Sequence, residues 1–203
     1  MTREEEARLV ARVREGDGDA FEKLVLENQK KVYNLALRMV GNEDDAFDMS
    51  QEAFIKAYNS ILCFRGDCRF SVWLYRLTTN VCLDFLRAQG RRSHASLSYG
   101  DDEDEEKELE IPDERFSPET ELERKELREA VNRGMMKLPQ EYRAILLLRE
   151  IDGLSYEEIG QTLDLEEGTV KSRIFRARKK LCRILADDGN FSEHRASIKI
   201  KGV

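Results

Sequence analysis

Apolar side chains recur every three or four residues over most of the chain, which is the spacing of amphipathic helices. The pattern predicts helices over residues 3–15, 20–40, 43–60 and 70–88, separated by glycines or polar turns. A helical hairpin is predicted closer to the C-terminus. The sequence therefore indicates an all-α fold.

Several residues stand where helix caps are expected. Asp19, followed three residues later by Glu22, predicts the N-terminal cap of the second helix, and Asn42 predicts that of the third. Gly41 is expected to end the second helix, because glycine readily adopts the left-handed conformation that follows many helices. These positions set the predicted boundaries of the N-terminal half.

Residues 155–181 predict two short helices around a tight turn. Ser155 and Glu158 have the spacing of a capping box for the first helix, and residues 164–168 interrupt the apolar pattern. The second helix is expected to bury a narrow apolar stripe. The stripe consists of Val170, Ile174, Ala177 and Leu181.

The second helix of this hairpin is strongly basic. Seven basic residues and no acidic residue lie from Gly168 to Arg183, so the segment is net +7. A basic helix with one apolar stripe fits the major groove of DNA, which is about 12 Å wide. The alternative is a solvated basic face, but the uninterrupted positive charge favours DNA binding.

The overall charge conceals this asymmetry. The formal charge of the 203 residues is -7, and residues 101–110 (DDEDEEKELE) alone contribute -7. Residues 93–117 are polar and acidic without apolar periodicity, so we expect a flexible linker. An extended segment of this length reaches at most roughly 80 Å. It could let one chain contact two sites about 70 Å apart, or it could be a solubilising tether.

Composition argues against several other classes of protein. No run of 18 apolar residues is present and the charged N-terminus does not resemble a secretion signal, so we expect a cytoplasmic protein. Spacings typical of a zinc site, a catalytic triad or a glycine-rich phosphate loop are lacking, so we expect no metal, no cofactor and no enzymatic activity. Reduced thiols are expected at Cys63, Cys68, Cys82 and Cys182, with a redox role for the first two as the alternative.

Two segments of the N-terminal half admit both a structural and a functional interpretation. The polar side chains over residues 45–56 are, by themselves, typical of a solvated helix face. Over residues 64–92, aromatic side chains are interleaved with arginines. Rings can stack on unpaired bases at about 1–3 kcal/mol each while arginines hold the backbone. The alternative is that the rings are core residues.

Four longer motifs are shared with one known family. DMSQEAFIKAY (48–58) and FRGDCRFSVWLYRLTTNVCLDFLR (64–87) are similar to region 2 of bacterial RNA polymerase sigma factors. LPQEYRAILLLREIDGLSYEEIGQTL (138–163) and EEGTVKSRIFRARKKL (166–181) are similar to their helix-turn-helix region 4. Other sigma regions have no counterpart in the sequence. The chain thus resembles the extracytoplasmic-function group, and in particular its RpoE-like envelope-stress members.

The resemblance implies two small helical domains joined by a flexible acidic linker. A region 2 domain is expected over residues 1–92, the linker over 93–117, a region 4 domain over 118–186, and a tail over 187–203. Region 2 would bind core polymerase and the -10 promoter element, and region 4 would bind the -35 element.

The resemblance also implies roles for individual side chains. The clamp coiled coil of core polymerase is expected to bind Asp48, Gln51, Glu52 and Lys56. The -10 element is expected to be melted and read by Phe64, Phe70, Trp73, Arg76, Asn80 and Arg87. One base would be flipped into a pocket of loop 64–70. The -35 element is expected to contact Lys171, Ser172, Arg173, Phe175 and Arg176, with Arg149 and Arg178 on phosphates.

The function implied is that of a sigma factor directing promoter recognition, DNA melting and transcription initiation in an envelope or stress response. The implied partners are core RNA polymerase (clamp coiled coil and flap), promoter DNA and an anti-sigma factor, which is often membrane-anchored and could hold the chain at the inner membrane face. A small-molecule substrate is not expected. Two alternatives are a stand-alone helix-turn-helix regulator, which would have no use for residues 48–58, and a redox-active thiol enzyme.

Overall fold

The computed structural model describes residues 1–95 and 118–187, with side chains described over residues 1–91 and 125–187. The described residues form helices and no strand, which confirms the all-α prediction. The first group of helices comprises α1 (Arg3–Arg14), α2 (Gly18–Val40), α3 (Glu43–Ser60), a 3₁₀ turn (Ile61–Cys63) and α4 (Phe70–Ala95). The second comprises α5 (Pro118–Met136), α6 (Gln140–Leu146), a π-helical turn (Leu147–Ile151), α7 (Tyr156–Leu163) and α8 (Glu167–Asp187).

Three of the predicted helix signals are confirmed. The side chain of Asn42 accepts a hydrogen bond from the backbone N–H of Asp45 at 3.0 Å, and Gly41 follows α2 with a φ of 83°. Ser155 and Glu158 form the predicted reciprocal capping box, with distances of 2.8 and 3.1 Å. Local side-chain chemistry therefore sets these boundaries, as expected from the sequence.

Three predicted boundaries are wrong. The cap of α2 is Asp17, which accepts from Ala20 N at 3.1 Å, and not Asp19, which lies inside the first turn. Helix α8 begins at Glu167, so the turn before it is shorter than predicted. Helix α4 continues past residue 88 to Ala95. The remaining residues of the predicted linker (96–117) and most of the predicted tail (188–203) lie outside the described residues.

Helices α1 to α4 enclose a core of their own. Helix α4 contributes to it through its N-terminal half, with Phe70, Leu74 and Val81 all buried. The other buried members are Val10, Val13, Ala20, Leu24, Val32, Ala53, Ala57, Ile61 and Phe64. The opposite side of α4 is also apolar, because Val72, Tyr75 and Leu86 are buried in a second cluster. A helix with two buried sides lies between two layers of structure.

The second layer against α4 is the C-terminal group of helices. Helix α4 contacts α6 and α7, and α2 contacts α5 and α6. One continuous apolar cluster includes residues of α2, α3 and α4 together with residues of α6, α7 and α8. Its members include Leu35, Met39, Tyr75, Leu83, Ile145, Leu148, Ile159 and Ile174. The two helical groups are thus packed against each other.

Arg143 is the polar centre of this contact. Its Nε donates to the carbonyl of Met135 at 3.1 Å, and its Nη2 donates to the carbonyls of Met136 at 2.6 Å and Leu138 at 3.3 Å. Its Nη1 donates to the carbonyl of Met39 in the last turn of α2. Burial lowers the pKa of Arg143. The carbonyl ends of α5 and α2 compensate the buried charge, since the C-terminus of a helix is its negative end.

The tight turn between α7 and α8 places Asp164 in the left-handed region, with φ of 55° and ψ of 54°. A side chain with a branched β-carbon is strained there by about 1–2 kcal/mol. We therefore expect Asp164→Val to lower the free energy of unfolding by roughly that amount, and Asp164→Gly to leave it equal or slightly higher. Urea unfolding of the two variants measures the difference. Equal stability of both variants would contradict the assigned backbone conformation.

Candidate nucleic-acid interface

Helix α8 separates its apolar stripe from its cations. Val170, Ile174 and Ala177 are buried, as predicted from their spacing, while Leu181 is half-buried. The predicted DNA-contacting side chains lie on the remaining surface of the helix. Lys171, Ser172, Phe175 and Arg176 are exposed, and Arg173 and Arg178 are partly exposed. Phe175 has 67% of its surface exposed, which is unusual for a phenylalanine and places an apolar group among the cations.

Acidic side chains pair with three of these cations. Arg178 donates to Glu150 in the π-helical turn, at 3.0 Å through Nε. Arg173 lies 3.8 Å from Glu141 of α6, and Lys171 lies 2.6 Å from Glu167 within α8. The hydrogen bond to Glu167 raises the pKa of Lys171. Exposed ion pairs contribute about 0–1 kcal/mol, so DNA phosphates could displace the acids at little cost.

Arg149 is held by the protein itself. Its Nη1 donates to the carbonyl of Leu154 at 2.7 Å, and its guanidinium lies 4.7 Å from the ring centre of Tyr156. The Nζ of Lys171 approaches the same ring at 5.6 Å. Tyr156 thus joins two predicted DNA-contacting residues through cation–π contacts. Sequence reasoning missed Tyr156, because nothing in the spacing of these residues indicates that they meet.

The turn after α7 packs closely against the backbone of that helix. The N–H of Leu165 donates to the carbonyl of Gly160 at 2.9 Å. A β-carbon at Gly160 would lie 2.7 Å from the carbonyl oxygen of Leu165, closer than real side chains approach. Glycine at position 160 therefore lets the turn of the helix-turn-helix fold back closely onto α7.

The aromatic side chains of loop 64–70 and the start of α4 form a compact cluster. The ring of Phe64 lies 5.1 Å from that of Trp73 and 6.0 Å from that of Phe70, and Phe70 lies 5.6 Å from Trp73. Phe64 and Phe70 are buried, so neither ring presents a free face for base stacking in this conformation. Trp73 is partly exposed. The role predicted for these rings stays a prediction.

The polar part of the predicted -10 surface is open to solvent. Arg76, Asn80 and Arg87 are exposed and lie on one side of α4, since spacings of four and seven residues nearly repeat the helical turn. Arg87 pairs with Asp84 at 3.3 Å. These three side chains follow the aromatic cluster along the same helix, so the two parts of the predicted -10 site share α4.

The predicted polymerase-binding residues lie on an exposed face of α3. Asp48 and Gln51 are exposed, and the partly exposed Glu52 pairs with Lys56 at 3.4 Å. Large apolar side chains adjoin them, which sequence reasoning missed. Phe47, Ile55, Tyr58 and Leu62 have 56%, 54%, 51% and 73% of their surfaces exposed. Contiguous exposed apolar side chains with polar neighbours are typical of protein–protein interfaces.

Comparisons with known proteins match each of the two helical groups to a family. Residues 24–92 match the family Sigma-70 region 2, and residues 128–181 match Sigma-70, region 4. The RNA polymerase sigma-H factor of Pseudomonas aeruginosa is 42% identical over 186 residues, covering 91% of this chain and 96% of that protein. The ECF RNA polymerase sigma-E factor of Escherichia coli K12 is 44% identical over 173 residues, covering 85% and 90%.

Solved structures show the same fold. CnrH in complex with the cytosolic domain of CnrY matches with a TM-score of 0.63 and 25% identity, covering 91% of this chain and 99% of that chain. The sigma factor RpoE of Bartonella quintana, solved with the anti-sigma factor NepR, matches with a TM-score of 0.63 and 23% identity, covering 83% and 98%. The second likeness concerns the fold alone.

The two matched regions define a sigma factor, a DNA-binding subunit that directs transcription initiation. The chain belongs to the extracytoplasmic-function family of RNA polymerase sigma factors, as its motifs predicted. A stand-alone helix-turn-helix regulator is not favoured, because region 2 accounts for the N-terminal helices. Within residues 1–95 and 118–187, no helix is both long and apolar enough to cross a membrane.

Proposed function

We propose that this sigma factor binds core polymerase and the two promoter elements through three separate surfaces. The exposed face of α3 around Asp48 and Gln51 binds the clamp coiled coil of core RNA polymerase, and region 4 contacts the polymerase flap. Loop 64–70 and α4 melt and read the -10 element. Helix α8 reads the -35 element. We further propose that the chain acts as a binding subunit in the cytoplasm, without catalytic activity of its own.

The proposal that this chain binds the -35 element is supported by the side chains on the exposed face of α8. Exposed cations and the exposed ring of Phe175 occupy one side of a helix whose other side is buried. A recognition helix contacts bases with side chains near its N-terminus, and α8 carries Lys171, Ser172 and Arg176 in its first three turns. Cations farther along it, such as Arg183, are better placed for phosphates.

Replacing Arg176 with alanine tests this assignment. If Arg176 contacts a base edge, the complex of this variant with core polymerase binds the promoter with the intact -35 element about 5- to 150-fold more weakly than the wild-type complex does. This loss corresponds to about 1–3 kcal/mol of binding free energy. Footprint titrations on the promoter and on a -35-scrambled promoter measure the effect. Arg183→Ala removes the same charge farther along α8 and serves as the control.

An equal loss for Arg176→Ala on both promoters would make Arg176 a phosphate contact, since phosphate contacts carry no sequence information. Unchanged affinity on the matching promoter would contradict the reading role of α8.

We also propose that an anti-sigma factor is a partner of this chain. The relative CnrH is bound to the cytosolic domain of CnrY. The exposed apolar side chains on α3 offer a surface of the kind that protein partners cover. A partner covering that surface would compete with core polymerase.

Binding both promoter elements requires the two helical groups to separate. A compact chain of this length has a radius of gyration of about 17 Å. Two turns of DNA extend over about 70 Å. We propose that the contacts of α4 with α6 and α7 break when the chain occupies a promoter, and that the acidic linker then spans the gap.

We call the arrangement in which the two helical groups are packed together the closed form, and the arrangement in which they are separated the open form. The equilibrium between the two forms should depend on pH through Asp152. The Oδ2 of Asp152 is buried without a hydrogen-bond partner. Its charged neighbours are Lys31 and Arg38 of α2, and Tyr75 of α4 also lies close to it. Burial raises the pKa of Asp152 from 3.8 to about 6. The closed form therefore binds a proton more tightly than the open form. Acid favours closure, and closure weakens as pH rises from about 4 to about 6, by up to about 100-fold.

Energy transfer between dyes on the exposed Cys63 and Cys182 reports closure in a background with Cys68→Ser and Cys82→Ala, because Cys82 lies in the cluster that opening would expose. We expect transfer to fall as pH rises to about 6. Asp152→Asn should keep high transfer across this range. The same pH dependence in both proteins would contradict the role of Asp152.

A further inference from the structure

Glu6 in helix α1 is an acidic residue with only 4% of its surface exposed. Acidic side chains are rarely buried to this extent unless they have a partner. The Oε1 of Glu6 accepts a hydrogen bond from the backbone N–H of Ser71 at 3.3 Å, and its Oε2 lies 3.8 Å from Nε of Arg69. Both partners are 60 or more residues away in sequence and flank the start of α4.

The start of α4 lacks a local cap. The N–H of Trp73 donates to the carbonyl of Arg69, so Arg69 occupies the N-cap position. An arginine side chain has no acceptor for the first N–H groups of the helix. The carboxylate of Glu6 supplies that acceptor from another helix, and its negative charge is favoured at the positive end of α4.

Helix α1 also reaches the other end of loop 64–70. It packs against the 3₁₀ turn Ile61–Cys63, which leads into the loop, and Glu6 binds the residue immediately after it. Val10 and Val13 of α1 share a cluster with Phe64 and Phe70. The match to region 2 begins at residue 24, so it gives no role to α1. Both ends of the loop that is predicted to hold a flipped base are therefore fixed by one helix.

We propose that Glu6 is a positioning residue for the reading of the -10 element. This inference rests on the proposed function of loop 64–70. By capping α4 and holding Arg69, Glu6 sets the position of the loop relative to Trp73 and Arg76. A base pocket distinguishes bases by contacts that fail when the pocket shifts by about 1 Å. Glu6 thus acts on promoter specificity without touching DNA.

The test uses the full-length chain with core polymerase and a set of promoters that differ at each -10 position. Wild type is compared with Glu6→Ala, which loses the cap and the charge, and Glu6→Gln, which keeps an acceptor oxygen. Glu4→Gln, an exposed acid on the same helix, is the control. The readout is the ratio of open-complex formation rates between the preferred base and the others, measured below the melting temperature of every variant.

We expect Glu6→Ala to lower this ratio by about 3- to 10-fold at one -10 position, since a lost capping contact of about 1 kcal/mol corresponds to such a factor. Glu6→Gln should give a smaller loss, and core affinity should be unchanged for both. If Glu6→Ala and Glu6→Gln both fold and both keep the wild-type ratio of rates, the proposal is overturned, and Glu6 is a cap with a structural role only. Failure of wild type itself to initiate would instead overturn the proposed function.

Discussion

Replacing Arg143 with alanine is expected to lower the free energy of unfolding by about 3–5 kcal/mol. The substitution leaves the carbonyls of Met39, Met135, Met136 and Leu138 without the donors that the guanidinium supplies. These groups lie in the last turns of α2 and α5 and in the turn that follows α5. Denaturant unfolding monitored by circular dichroism measures the loss.

Two further variants make the Arg143 prediction specific. Arg143→Lys should recover part of the stability, because an ammonium offers three donors from a single point and cannot reach all four carbonyls. Arg133→Ala removes an exposed arginine that pairs with Glu129 at 3.8 Å, and should cost less than about 1 kcal/mol. A loss below about 1 kcal/mol for Arg143→Ala would show that the four carbonyls find other donors.

Reversing the charge of Asp48 is expected to weaken binding to core polymerase by about 100-fold or more, since an unfavourable charge at the centre of an interface costs several kcal/mol. Gln51→Ala should weaken it by about tenfold, the effect of roughly 1.4 kcal/mol. Both side chains are exposed on α3 beside Phe47 and Ile55. Fluorescence titration of labelled chain with purified core polymerase measures both affinities.

The control for Asp48→Arg is Glu15→Arg, which makes the same charge change at an exposed acid at the end of α1. Its affinity for core should stay within about threefold of wild type, because an exposed charge outside the interface contributes little. Equal losses for the two variants would indicate a general charge effect. If Asp48→Arg binds core polymerase as tightly as wild type does, α3 is not part of the docking surface.

Features set by local chemistry could be predicted from the sequence. The capping box at Ser155 and Glu158, the cap at Asn42 and the buried stripe of α8 each depend on residues within a few turns of one another. The family was predictable for the same reason, since its motifs are contiguous. Capping of α2 was misassigned because Asp17 and Asp19 are both suitable caps by residue type, and the pairing of Asp17 with Arg12 of α1 is a contact that capping rules do not consider.

Features set by tertiary packing could not be predicted. Phe64 and Phe70 are buried through contacts with α1 and Trp73, which no spacing reveals. The exposure of Phe47, Ile55, Tyr58 and Leu62 is likewise a property of the assembled fold. The buried position of Arg143 depends on carbonyls contributed by both helical groups, and its sequence context resembles that of an ordinary surface arginine.

Transcription in vitro tests the central claim most directly. Purified core RNA polymerase is supplied with a promoter template drawn from the related sigma-E class, with wild-type chain, with Asp48→Arg, with Arg176→Ala or with no addition. We expect promoter-dependent transcripts with wild type, none with Asp48→Arg, and a reduced yield with Arg176→Ala that a higher DNA concentration restores. Tight binding of the chain to duplex DNA without any gain of initiation by core polymerase would contradict the assignment of this chain as a promoter-specificity subunit.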